Sequence, residues 1–310
     1  MDLFVNPVGR FARWVIARGL LNSDFVLVDG GVQGGIAPRW DTFRDRLVVY
    51  GFDPIKETIE PLRLRAKKKD HFLALALGNE DGERDLFIPE ISFAASFHHR
   101  GFDRLDVPGG LTKNVRSRTV PIRRLDSLMN EGTVERADMI KLDCEGFEPE
   151  IIDGAQEFLK KSQPIGFECE TSFHTSDGYQ EPHFLELYRR LSPFGFKLCD
   201  LAFGRTPYAN FVKRARALRR KIIHRTLVAR PDVFNVVFYR DLTNAAPTTD
   251  QVLKQAMMFE AYGMRDSAYE LLLSFAHLFR AEVCIQEGAD LLTKWAGRLR
   301  HLVPVRPTRL

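Results

Sequence analysis

Cysteine is scarce and scattered in this chain. Four occur in 310 residues, at Cys144, Cys169, Cys199 and Cys284, and no two are spaced as metal ligands. Such usage speaks against a disulfide framework and fits a reducing cytoplasm. Long hydrophobic runs are missing too, since no window approaches the roughly 20 apolar residues that a membrane helix needs. The opening stretch MDLFVNPVGRFARWVIARGLL breaks its apolar run with arginines and has no small-residue cleavage site, so no secretory signal is expected. Internal repeats and low-complexity segments are absent. The dinucleotide fingerprint G-x-G-x-x-G is incomplete as well. In FVLVDGGVQGG, Phe25 to Gly35, Gln33 stands where the second glycine would fall.

What remains is an ordinary globular composition, 45% hydrophobic and 28% charged. The net charge of +4 hides an uneven distribution, because KRARALRRKIIHRTLVAR, Lys213 to Arg230, carries eight basic residues and no acid. The basic character is local. Such a stripe implies a patch that meets phosphate, an acidic lipid surface or an anionic substrate, the alternative being a solvated helix face. Leu218, Ile222, Ile223 and Leu227 sit at helical spacing within it, which favours an interfacial helix on an anionic surface over a specific nucleic-acid contact.

Strand-like and helix-like segments alternate after residue 25. FVLVDGG, RLVVYGFDP and HFLALALGN read as three strands, with helix-compatible stretches at Ala37 to Phe43 and in IKETIEPLRLRAKKK, whose interior Pro61 restricts. RDLFIP and VRSRTVPI are short strands around a loosely patterned loop that contains His98 and His99. DMIKLDCEG is a strand ending in acids, and EPEIIDGAQEFLKK has helical spacing at Ile151, Ile152, Ala155, Phe158 and Leu159. PIGFECE, the amphipathic HFLELYRRLSPFG, FKLCDLAF and VFNVVFYR complete the series. Residues 243–310 hold no strand-like run and read as two or three helices, broken near Gly263 and Gly288, with Met257, Met258 and Phe259 as core.

Alternation of this kind implies an α/β fold with a parallel sheet and helices on both faces. Ligands in such sheets bind beyond the carboxyl ends of the strands, at a switch in strand order. Asp29, Asp53, Asp143 and Glu168 or Glu170 all end strands in this reading, so the fold would gather them along one edge. A strand, an acid, a glycine turn and a second acid 24 residues later is a layout for adenosine. The glycines Gly30, Gly31 and Gly34 let the backbone approach the ligand, and Asp53 can accept hydrogen bonds from both ribose hydroxyls. The spacing alone leaves an oxidoreductase and a methyltransferase both open.

ADMIKLDCEGFEPEIIDGA, Ala137 to Ala155, resembles the signature of the FkbM-type methyltransferases through Lys141, Asp143, Glu145, Gly146, Glu148, Gly154 and Ala155. VDGGVQGG, VYGFDP, LALGNEDG, VPIRRLDSL and PIGFECE stand in the same order as further elements of that family, so the resemblance spans roughly residues 25–240. It implies a Rossmann-like, seven-stranded, mostly parallel sheet, S-adenosyl-L-methionine as cofactor, and methylation of a hydroxyl on a sugar or a secondary-metabolite (polyketide-like) acceptor. It also adds Pro54 and Gly78 to the cofactor-binding set of Asp29, Gly30, Gly31, Gly34, Asp53 and Asp143. Asp29 would orient the turn or meet the ammonium. The sequence departs from the family at Gln33, in its extra glycines, and at Asp53, where glutamate is common. Asp143 and Glu145 are the expected catalytic contacts, with His174 as a further candidate base. Lys141 alternates with Asp143 on one face and is placed to keep it ionised. No histidine spacing supports a metal at Asp143 and Glu145, so no metal ligand is assigned, and the choice between a metal and a general base stays open.

The expected organisation is an N-terminal helical segment, residues 1–24, a Rossmann-like domain, 25–242, with the basic insertion 213–230, and a C-terminal α-helical extension, 243–310, able to support a homo-oligomer. The expected partners are a small-molecule or glycan hydroxyl acceptor and an anionic surface, with no specific nucleic acid. The expected location is cytoplasmic, peripheral at the inner membrane surface if the basic segment docks there. A binding or scaffolding module with a retained nucleoside pocket is the competing reading.

Overall fold

The computed structural model describes residues 9–89, 95–98, 115–173, 181–205, 231–279 and 285–293. His99, His174, Cys284 and the basic segment 213–230 lie outside the described residues. In chain order the elements are α1 (Arg10–Ala17), β1 (Phe25–Gly30), a 3-10 segment (Pro38–Arg46), β2 (Leu47–Phe52), α2 (Lys56–Arg65), β3 (Asp70–Leu73), β4 (Ala76–Leu77), β5 (Gly82–Ile88), β6 (Arg116–Arg123) and α3 (Leu125–Asn130). They continue with β7 (Met139–Leu142), α4 (Glu148–Asp153), α5 (Gln156–Ser162), β8 (Gly166–Ser172), α6 (His183–Leu191), β9 (Phe196–Arg205), β10 (Pro231–Arg240), α7 (Thr249–Ala261), α8 (Arg265–Ser274) and α9 (Ile285–Thr293).

Two compact units are formed. One comprises residues 1–25, 37–47 and 242–310, the other 26–36 and 48–241. The second carries a seven-stranded sheet in the order β3-β2-β1-β7-β8-β10-β9. β2 and β3, β1 and β7, and β7 and β8 pair in parallel, while β10 runs antiparallel to both β8 and β9. This is the mostly parallel α/β sheet expected from the alternation. Strand order reverses between β1 and β7, which places a crevice outside their carboxyl ends. β1 is buried along its whole length, as an unalternating FVLV run on a central strand requires. Val28, Ile140, Leu142, Phe167 and Val236 belong to one apolar core with Ile151, Ile152, Phe158 and Leu187 from the helices.

The structure departs from the sequence reading at three places in the chain. HFLALALGN is not one strand. Leu73 pairs with Phe52 in the large sheet, whereas Ala76 pairs with Ile122 in a separate three-stranded sheet, β4-β6-β5. EPEIIDGAQEFLKK forms two helices that part at Gly154 and Ala155, and Gly154 lies against the backbone of Gly78 so closely that a Cβ would stand 1.9 Å from its carbonyl oxygen. Gly288 does not break a helix. It lies inside α9 with the Trp14 ring against it, where a Cβ would come to 2.6 Å.

In the first unit Phe25, Trp40 and Phe43 are all buried, with the Phe25 and Phe43 rings stacked at 3.9 Å and Trp40 meeting Tyr262 edge-on at 5.8 Å. A capping box of Thr248 and Gln251 starts α7, and Gly263, at a φ of 83°, separates it from α8. Met257, Met258 and Phe259 are core residues, as expected.

Candidate active site

Side chains two apart on a strand share a face. Register therefore lines up Asp29, Lys141 and Glu168 across β1, β7 and β8, since Asp29 pairs with Lys141 and Lys141 with Glu168. Asp29 and Glu168 are buried. The Lys141 ammonium lies 3.2 Å from an Asp29 oxygen, 3.5 Å from an Asp143 oxygen and 3.4 Å from the Gly31 carbonyl. Burial opposes its charge, but Asp29, Asp143 and Glu168 outweigh that and hold its pKa above the ordinary lysine value. Burial in turn pushes Asp29 up to about 6 against the pull of Lys141. One ammonium is shared among more carboxylates than it can neutralise.

Two residues further along, just past the last paired row of Gly30, Leu142 and Cys169, come Gly31, Asp143 and Glu170. Gly31 has a φ of 79°, and a Cβ there would stand 1.9 Å from the Asp143 carbonyl oxygen. Gly31 is glycine because the β7 turn occupies the space. The Asp143 N–H donates to the Gly30 carbonyl at 3.0 Å, locking the two strand ends together. Gly34, at a φ of 83°, has open space where its Cβ would be. The glycine-rich turn thus combines close packing at Gly31 with an open backbone at Gly34.

Asp53 follows β2, where one carboxylate oxygen accepts the Ile55 N–H at 2.8 Å. Burial raises its pKa to about 6, against that hydrogen bond and the charge of Lys141. Pro54 is half-buried beside it. Gly78, expected in the same set, is packed by Ile122, Phe147 and Gly154.

The turn after β7 and the end of β8 bring three acids together. One carboxylate oxygen from each of Asp143, Glu145 and Glu170 lies within 4.8 Å of the others. Glu145 takes a φ of 53°, rare for a residue with a side chain, and Gly146 follows at 93°. Burial raises Glu145 to about 8, with the charges of Asp143 and Glu148 adding to it. Burial likewise lifts Glu170 well above the carboxylate range, reinforced by Asp143, Glu145 and Glu148. Such a set can share protons, and its hard oxygens are also of the type and spacing that could hold a divalent cation. Ser96 braces the turn by donating its hydroxyl to the Glu145 carbonyl at 2.9 Å. His98 packs on Phe147 and has its Nε2 3.5 Å from Glu150.

Sequence reasoning placed Asp29, Asp53, Asp143 and Glu145 at strand mouths and Lys141 on the face of Asp143, and the structure puts Lys141 between Asp29 and Asp143. That reasoning left Glu170 as one of two alternative strand-end acids and gave Glu148 and Ser96 no part. The period-two spacing of Glu168 and Glu170 was the available signal for Glu170.

Asp29, Asp53 and an open glycine turn at the strand-order switch define an α/β protein whose carboxyl edge suits a nucleoside cofactor. The model of the Methyltransferase FkbM domain matches residues 37–198, and the chain belongs to that family. It is accordingly a methyltransferase, and its cofactor is S-adenosylmethionine. No curated protein matches the sequence. Among solved structures, precorrin-6y C5,15-methyltransferase from Geobacter metallireducens GS-15 superposes at 10% identity over 74% of this chain and 87% of its own, with a TM-score of 0.35. The Methanococcus jannaschii fibrillarin pre-rRNA processing protein does so at 16% identity over 76% and 69%, TM-score 0.35. The Burkholderia thailandensis 1,6-didemethyltoxoflavin-N1-methyltransferase, solved with S-adenosylhomocysteine, gives 14% over 75% and 78%, TM-score 0.30. Likenesses of this size say nothing about the acceptor.

The residues present fit the cofactor. Carboxylates at the ends of β1 and β2 flank a turn whose backbone is open at Gly34, which suits a ribose and a cationic methionine moiety. Among the described residues no helix is long and apolar enough to cross a membrane.

Proposed function

We propose that the protein methylates a hydroxyl group of a sugar or a secondary-metabolite (polyketide-like) alcohol, with Glu145 as the base and Asp143 beside it at the acceptor. The observation that carries this reading is the Asp143, Glu145 and Glu170 cluster at the mouth of β7 and β8. When bound, S-adenosylmethionine supplies a methyl group on a sulfonium, an electrophile that needs an aligned nucleophile. Alignment alone can contribute about 7–11 kcal/mol. Asp53 would hold the ribose hydroxyls, and the Gly31–Gly35 turn would give its backbone to the methionine portion. Asp29, already paired with Lys141, orients that turn.

A neutral alcohol is a weak nucleophile, so a carboxylate that takes its proton as the new bond forms accelerates the step by about 10²–10⁴-fold. Glu145, raised to about 8 by burial and its acidic neighbours, has the proton affinity for that task near neutral pH. Asp143, 3.5 Å from the Lys141 ammonium, is the carboxylate placed to orient the acceptor hydroxyl. The test is a product-mass screen with S-adenosylmethionine over sugars and polyketide alcohols. A gain of one methyl on oxygen, lost when the acceptor hydroxyl is removed, is the expected result. Methylation only of amines or thiols would overturn the hydroxyl assignment.

A further inference from the structure

Behind the cluster lies a second acid that takes no direct part in methyl transfer. Glu148, the first residue of α4, is fully buried. It does not cap its own helix. One carboxylate oxygen reaches back to accept the Cys144 N–H at 2.6 Å, inside the turn that carries Asp143 and Glu145. The other lies 3.3 Å from Nε2 of His183, a buried residue at the start of α6. Nδ1 of His183 is in turn 3.0 Å from the Thr171 hydroxyl, and Thr171 follows Glu170 on β8. One carboxylate thus ties the turn after β7 to the end of β8, the two places from which the acidic cluster is built.

Burying a carboxylate is expensive unless its oxygens are used. The turn it holds has a matching need, because Glu145 adopts a left-handed φ of 53° that surrounding contacts must over-determine. Ser96 restrains the turn at the Glu145 carbonyl and Glu148 restrains it one residue earlier. We propose that Glu148, braced by His183 and Thr171, is a positioning residue that fixes the turn after β7 and so holds Asp143 and Glu145 opposite Glu170. The proposal rests on the methyl-transfer reading above.

Glu148→Ala and Glu148→Gln test it in the full-length protein. Glutamine keeps an acceptor for the Cys144 N–H, whereas alanine removes it. In Glu148→Ala, exchange of the Cys144 amide should speed up about tenfold or more while β7 stays protected, and in Glu148→Gln it should stay within about threefold of the parent. Affinity for S-adenosylhomocysteine should change less than about threefold in both variants. With the alcohol found in the acceptor screen, kcat should fall about 10²-fold in the alanine variant at nearly constant KM, because misplacement of about 1 Å suffices for that loss. The glutamine variant should recover most of it. Unchanged Cys144 exchange in Glu148→Ala, or equal kcat losses in both variants, would overturn the proposal. Failure of the parent protein to methylate any alcohol would sink the hydroxyl reading instead, and the exchange measurement would still decide the positioning claim.

Discussion

Buried charge is handled in opposite ways in the two compact units. In the first, Glu260 is almost wholly buried, and its two oxygens accept the N–H groups of Phe11 and Ala12 at 3.0 and 2.9 Å, closing the start of α1. Lys254, equally buried, donates to the Ser23 hydroxyl and the Asp24 carbonyl and lies 3.0 Å from Asp250. Burial works against the Asp250 charge, yet Lys254 and its hydrogen bonds win and lower its pKa. In the second unit Asp29, Asp53, Glu145 and Glu170 are all raised, chiefly by burial. Charges serving the fold are each satisfied, Glu260 by two backbone N–H groups and Asp250 by the Lys254 ammonium. Acids at the strand mouth are crowded around a single lysine, an arrangement that stability alone would not favour.

The comparison is broken hardest by removing acids from the crowded site. Asp143→Asn and Glu145→Gln should leave the fold intact, and at least one should lower methyl transfer by about 10²–10⁴-fold with a much smaller change in cofactor affinity. Single-turnover rates beside calorimetry with S-adenosylhomocysteine measure both. Normal turnover by both variants would remove this cluster from the chemistry. The matched unit should respond in the other currency. Lys254→Met leaves Asp250 without its ammonium and should cost about 3–5 kcal/mol of stability, read from a urea melt. A loss under 1 kcal/mol, on the scale of exposed pairs, would show that the burial of Lys254 confers nothing.

The strand-mouth half of this contrast was legible in the sequence, whereas Asp250, Lys254 and Glu260 drew no reading. The period-two spacing of Lys141 and Asp143 put both on one face, and the strand-end positions of Asp29 and Asp53 followed from apolar runs that stop at an acid. What was hidden depends on register and on distance. Glu170 joins Asp143 only because β7 and β8 are parallel neighbours with Leu142 opposite Cys169. Glu148 reads as an ordinary first-turn acid of a helix, and nothing in EGFEPE reveals that its carboxylate is buried and turned back to Cys144. Gly78 matched a family element, but its contacts with Ile122 and Gly154 are packing that no local pattern reports.

A smaller effect sharpens the comparison through pH. In the proposed reading Asp53 accepts the ribose hydroxyls as the ionised carboxylate, and in the free protein burial raises its pKa to about 6. Below that value the proton must be lost before the ligand is held. Affinity for S-adenosylhomocysteine should therefore rise about tenfold between pH 5 and pH 7.5 and level off above pH 7. Asp53→Asn should flatten that dependence, and an unchanged slope would assign the titration to another group.

The smallest effect is the most diagnostic of crowding. Glu145 has a pKa of about 8 in the fold, above the ordinary carboxylate value of 4.5. Between those values the native state binds more protons than the unfolded chain, so stability falls as pH rises through that window and levels off above pH 8. Stability associated with this group is fully present below pH 4.5. Glutamine cannot ionise, so Glu145→Gln should match the parent near pH 4.5 and be the more stable of the two at pH 8.5, with the higher melting temperature. The sign carries the argument, because loss of a side chain that served the fold would lower stability at every pH. A divalent cation held by Asp143, Glu145 and Glu170 would reverse the result, since the substitution would then delete a ligand. Melting curves with EDTA and with magnesium separate the two. A parent protein that is stabilised by magnesium, and a Glu145→Gln variant that is not, would replace proton sharing with metal binding at this site.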